Sequence, residues 1–136
     1  MMMKYAASYA AALVTLIALD ALWLGVIASA LYASAIGHLM AARPNLAAAL
    51  LFYAMYPLGL IVFAIAPARG QAGWHGTAAR AAAFGFFAYG TYDLSNLATL
   101  RDLPMGISLI DVAWGCVVSA ASATAGKLAL DRVAGS

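Results

Sequence analysis

A chain of 136 residues in which 66% are hydrophobic and only 9% charged lies outside the composition of water-soluble domains, where charged residues make up roughly 25%. Its net charge of +2 comes from basic residues scattered between apolar runs, which offers no electrostatic footprint to a nucleic acid. The length suits one unit over residues 1–136 with no room for a separate soluble domain, so a membrane protein is expected, with the lipid bilayer as its surroundings.

The first apolar run extends from about Tyr5 to Ala30. Lys4 ahead of it and Ala28-Ser29-Ala30 at its end imitate a secretory signal. The apolar core of such a signal holds only about 7–15 residues, however, so a membrane-spanning helix is expected instead. The segment from Leu31 to Met40 either extends this helix or lies flat at the outer interface, with Leu31, Ala35 and Leu39 on one face. Arg43-Pro44-Asn45 breaks the chain before a second run, about Leu46 to Ala66, for which Asn45 is the expected N-cap. Pro67-Ala68-Arg69-Gly70 closes that run, and Gly70, Gly73 and Gly76 around Trp74-His75 read as a flexible turn. A third run follows from about Ala78 to Leu100, with Thr77 as its expected N-cap. After Arg101-Asp102-Leu103-Pro104 a fourth covers about Ile107 to Leu130.

Each run approaches the ~20 residues that a spanning helix needs, and long Ala/Leu-rich stretches do not suit the short alternating strands of a barrel. The expected fold is therefore all-α: a polytopic membrane protein with four transmembrane helices in an antiparallel bundle. Lys4, Arg69, Arg80, Lys127 and Arg132 gather on one side against Arg43 and Arg101 on the other, which predicts cytoplasmic termini. Tyr5, Tyr9 and Trp74 at the cytoplasmic ends, and Tyr32 at the outer one, read as interfacial aromatics. Ala81-x-x-x-Gly85 and Ser122-x-x-x-Gly126 carry the small-residue spacing that lets helix backbones approach closely.

Three of the five acidic residues, Asp20, Asp93 and Asp111, fall inside the apolar runs. A carboxylate in hydrocarbon costs roughly 2.5–3.5 kcal/mol on insertion scales, so each must face protein, water or a partner group. Residues three or four apart share a helix face. This groups Asp20 with Trp23, Tyr53 with Tyr56, Tyr89 with Tyr92, Asp93 and Asn96, and Asp111 with Trp114. The helical rise places all four stripes in one layer, from the bilayer centre to about 10 Å toward the outer face. Antiparallel first and fourth helices bring Asp20 level with Trp114 and Trp23 with Asp111. An indole N–H only donates and a carboxylate only accepts, so two crosswise bonds are predicted.

Such pairs also serve as plain glue that sets helix register, at about 0.6 kcal/mol each. Asp93 differs, because Tyr89, Tyr92, Ser95, Asn96 and Thr99 surround it within two turns and so long a polar stripe demands water or a ligand. With no Lys or Arg at that depth, these carboxyls are candidate proton carriers or cation sites.

His38 and His75 fall on opposite sides of the membrane in this topology, so they cannot share a metal or a haem, and neither metal nor cofactor is expected. The chain has no Ser-His-Asp set, no Cys-x-x-Cys and no phosphate-cradling glycine loop, which argues against a hydrolase or a kinase. Cys116, the single cysteine, reads as a small packed side chain.

The run Tyr92-Asp93-Leu94-Ser95-Asn96-Leu97-Ala98-Thr99-Leu100, with Asp20-Ala-Leu-Trp23-Leu-Gly25 before it and Asp111-Val-Ala-Trp114-Gly115 after it, resembles a bacterial family. This family comprises the small four-helix predicted membrane proteins classed as domain of unknown function twenty-one seventy-seven. The resemblance covers essentially the whole chain. It implies a multi-pass protein of the bacterial inner membrane and no particular activity, so whether the chain is an enzyme stays open and no catalytic residue is assigned.

The residues themselves favour a bundle that binds or moves a small molecule, a cation or a proton at the carboxylate and aromatic layer. A homo-oligomer is expected, since four helices leave little room for two alternating states. One alternative is an enzyme or accessory subunit acting on membrane lipid, with a lipid ligand and Asp93 as acid or base. The other is a structural partner protein.

Overall fold

A computed structural model describes residues 2–40, 43 and 45–135. Five helices carry the fold: α1 (Met2–Leu22), α2 (Ser29–Ile36), α3 (Leu46–Leu60), α4 (His75–Thr99) and α5 (Met105–Ala134), with no strand among the described residues. Helix α1 continues through a π turn at Trp23–Ile27, and α3 through a π turn at Ile61–Ile65 and a short 3-10 turn at Ala66–Ala68. The widening of α3 follows Pro57, which lies inside the helix. Lacking an N–H, Pro57 cannot donate to the carbonyl four residues earlier, so the regular ladder is interrupted there.

Three helical stretches, Met2–Ile27, Leu46–Ala68 and Met105–Ala134, are long and apolar enough to cross a membrane. The expectation of four such spans is thus met for three. With 25 residues α4 is long enough, but Arg80 near its start and Tyr92, Asp93, Ser95 and Asn96 near its end lower its apolarity.

Helices α1 and α4 each run antiparallel to α5. Along α4 and α5, Gly85 lies against Gly115 and Ser119, Tyr89 against Gly115, and Asp93 opposite Asp111. Along α1 and α5, Ser8 lies by Gly126 and Asp20 by Trp114. Helix α3 shares α5's direction, with Tyr56 on Ser119 and Ile65 by Gly126. The small-residue spacing explains the closeness. A Cβ on Gly85 would strike the Gly115 carbonyl and come within 2.5 Å of Ser119 Oγ, and one on Gly126 would come within 2.7 Å of Ile65 Cδ1.

The interior is built from modest side chains, among them Leu16, Leu60, Ile65 and Val118, together with buried Ser8, Ser108, Ser119 and Ser122. Large apolar groups such as Val14, Leu50, Leu51, Phe87 and Val117 point outward. This is the arrangement expected where lipid removes the hydrophobic incentive to bury large side chains, leaving close packing and interhelical hydrogen bonds to hold the bundle.

Asn45 caps α3 as expected, its Oδ1 accepting from the Ala48 N–H at 3.1 Å. Pro44, the centre of the expected break, lies outside the described residues. Thr77 is not a cap: α4 starts two residues earlier, at His75, where the Trp74 and His75 rings stack at 4.0 Å, and Thr77 is buried inside the helix. The glycine turn before α4 is present, with Gly73 at φ +79. It is nonetheless tied down, because the buried Lys127 donates to the Gln71 carbonyl at 3.0 Å and pairs with Asp131.

Candidate functional site

In their upper halves the helices bring the carboxyls and aromatics of the sequence into one connected layer, divided into two parts of different character. The first part centres on Asp20, which is buried on α1. Trp114 of α5 donates its indole N–H to Asp20 Oδ1 at 3.0 Å, and Tyr53 of α3 donates to Oδ2 at 2.9 Å. Both carboxylate oxygens are thereby satisfied by the donor chemistry that a dry interior requires. Trp23 stacks flat on Trp114, with ring centroids 4.6 Å apart and 6° between the planes.

The second crosswise bond is absent as a direct contact. Trp23 points its N–H at the Tyr32 hydroxyl, 3.4 Å away, and Tyr32 donates to Asp111 Oδ1 at 2.8 Å. The π turn at the end of α1 and the separate helix α2 fold the chain back over the bundle, which carries Tyr32 inward between Trp23 and Asp111. Tyr32, expected as an interfacial aromatic, is thereby joined to the polar layer. Burial pushes its phenol well above the usual range, the nearby carboxylates add to this, and Tyr32 stays a donor across physiological pH.

The second part of the layer is the pair Asp93 and Asp111. Both side chains line one cavity, on facing stretches of α4 and α5. Asp93 is only 5% exposed, and its Oδ2 has no hydrogen-bond partner among the described residues. It lines a cavity of about 230 Å3 together with Tyr32, Tyr92, Asn96, Ser108 and Asp111. Tyr89 lies on the other side. It packs edge-on against Tyr56, with centroids 6.0 Å apart, and Tyr56 in turn shares a 2.6 Å hydrogen bond with Ser119.

All ten residues singled out from the sequence thus fall in or beside this layer. Asp20, Trp23, Tyr53 and Trp114 form the satisfied part; Tyr92, Asp93, Asn96 and Asp111 form the cavity; Tyr56 and Tyr89 form an aromatic wall between them. Ser95 and Thr99, expected to flank Asp93, turn outward and bond their own helix backbone at the carbonyls of Tyr92 and Ser95. Sequence reasoning missed Tyr32 and Ser108. The only signal for Tyr32 was its place nine residues beyond Trp23, uninformative until the π turn bends the chain.

His38 lies 3.6 Å from Asp102 at one end of the bundle, whereas His75 stacks on Trp74 at the other. Cys116 is a free, half-buried thiol. Among the described residues no three His, Cys, Asp or Glu side chains gather as metal ligands would.

Several apolar helices packed on small residues around an internal carboxyl layer define a multi-pass α-helical membrane protein. Residues 5–128 match the family described as predicted membrane protein, DUF2177, and the chain belongs to that family. No curated protein and no solved structure matches it.

Proposed function

We propose that this protein spans the bacterial inner membrane four times and binds or moves a small ligand, a cation or a proton at the Asp93–Asp111 pair. The observation that carries this reading is Asp93 Oδ2, a buried acceptor without a partner on the wall of a cavity. Leaving a buried polar group unsatisfied costs about 1–3 kcal/mol. A site that retains such a group while its neighbour Asp20 is fully bonded has the character of a place meant for an incoming donor.

Support for the fourth span comes from α4 itself. It runs along α5 over Gly85, Tyr89 and Asp93, and it turns Phe86, Phe87 and Leu94 outward. Asp93 and Asn96 of its polar stripe face the cavity inside the bundle, where intramembrane polar residues belong. With four spans both termini are cytoplasmic, since Lys127 at Gln71 and Ser8 at Gly126 draw together the end of the bundle that carries most of the basic residues. A homo-oligomer is part of this reading, a bundle this small needing a second copy to offer two alternating states.

Trp23 and Trp114 lie beside the carboxyls and report on them. In the purified protein, intrinsic fluorescence should change with pH as Asp93 gains or loses a proton. The Asp93→Asn variant, nearly the same shape but unable to ionise, should remain folded and lose the titration together with activity in whatever assay a deletion strain provides. Unchanged titration and activity in a folded Asp93→Asn protein would remove the reading.

A further inference from the structure

The cavity at Asp93 is one of two hollows that meet at the same side chains. The second, of about 490 Å3, runs between α3 and α4 and is walled by Phe52, Met55, Tyr56, Ala88 and Tyr89; it shares Tyr92 and Asp111 with the first. The second falls within the range of about 300–1,000 Å3 in which small-molecule sites occur and the first lies below it; their chemistry also differs. The first sets Asp93, Asp111, Asn96 and Ser108 among apolar side chains such as Ile36 and Ile107, and lies toward the outer end. The second is an apolar groove on the flank of the bundle, where Met55 and Tyr92 are 65% and 63% exposed. On a membrane-spanning bundle that flank faces acyl chains. A water-soluble ligand would use the end cavity and leave the groove without purpose.

We propose that the ligand is a membrane amphiphile with an amine head, its ammonium group donating to Asp93 and Asp111 while its acyl chain lies in the α3–α4 groove. This rests on the reading of Asp93 as a ligand site and adds the class of ligand. Three observations carry it. Asp93 Oδ2 is a buried acceptor in want of a donor. Among the described residues no Lys or Arg lines either hollow, so the two carboxyls repel an anionic head and attract a cationic one. The groove ends on Asp111, so that a chain lying in it delivers its head to the carboxyl pair without leaving the bilayer. Tyr32 and Asn96 add hydrogen-bonding groups around the head.

The test is selective retention of lipid. Full-length protein is reconstituted with a mixture of phosphatidylethanolamine and phosphatidylglycerol, washed with detergent, and its retained lipid measured by mass spectrometry. Wild type should keep the amine lipid in several-fold excess over the anionic one, and Asp93→Asn should lose that preference. Ala88→Phe fills the groove away from the carboxyls and should lower retention about tenfold while leaving the pH titration of tryptophan fluorescence in place; Ala88→Leu serves if Ala88→Phe does not fold. Ethanolamine without a chain should leave the fluorescence unchanged at concentrations where the lipid saturates it. Preference for phosphatidylglycerol, equal retention in the groove-filled variant, or ethanolamine binding as well as the lipid would each overturn the amphiphile. If the pH titration survives in wild type and vanishes in Asp93→Asn, the underlying site stands even then.

Discussion

Asp20 and Asp93 are both buried acids in apolar helices, and the structure gives them opposite energetic roles. Removing the Asp20 carboxylate strands the Trp114 N–H and the Tyr53 hydroxyl that it accepts, a loss of about 1–3 kcal/mol for a group left unpaired in a dry interior. Asp20→Leu should therefore melt distinctly earlier than wild type in detergent, whereas Asp20→Asn, which can still accept one bond, should be milder. Asp93→Leu should do the reverse, keeping or raising the melting temperature while abolishing activity, because it deletes an acceptor that has no partner. Sites kept for function commonly trade stability in this way. A thermal-melt series over the three variants checks the order, and equal destabilisation by Asp20→Leu and Asp93→Leu would contradict it.

At the scale of elements, two devices hold the layer in place. Glycine sets the distance between α4 and α5: a Cβ on Gly115 would enter the Tyr89 ring, whereas one on Gly90 meets nothing within 4 Å. Overpacking a tight contact costs typically about 1–3 kcal/mol, so Gly115→Ala should lower the melting temperature and weaken ligand response, and Gly90→Ala should do neither.

The other device is α2, which is held down through Tyr32 on Asp111. Tyr32→Phe removes that bond while keeping the ring. Modification of a cysteine placed at the exposed Ser34 should then become faster than in the same cysteine variant with Tyr32 intact, as α2 loosens from the bundle. Equal rates would show that the short helix is held by other contacts.

For the whole molecule, the membrane crossing of α4 decides the topology. Three spans would put the termini on opposite sides and four would put them together. Reporters fused separately to the two ends should both be active in the cytoplasm, in keeping with the basic residues of that end of the bundle. Reporters on opposite sides would show that α4 stays within one leaflet or outside the membrane, and would move Asp93 to a surface.

The helical class, the approximate limits of α3 and α5, and the grouping of Asp20, Asp93 and Asp111 with Trp and Tyr could all be read before folding. Hydropathy and helical spacing are local properties, and the bilayer imposes a length on each run. Depth along antiparallel helices was enough to pair Asp20 with Trp114, now seen at 3.0 Å. The placement of Tyr32 was not legible, because it depends on a π turn at Trp23–Ile27 and on how α2 folds back, neither of which has a mark in residue type. Nor could spacing tell which acid is satisfied. Asp93 lies in a longer polar stripe than Asp20, but only the packing of α3 and α5 supplies two donors to Asp20 while leaving an oxygen of Asp93 without one. Which polar groups share a face is settled within a helix, and which of them find partners is settled between helices.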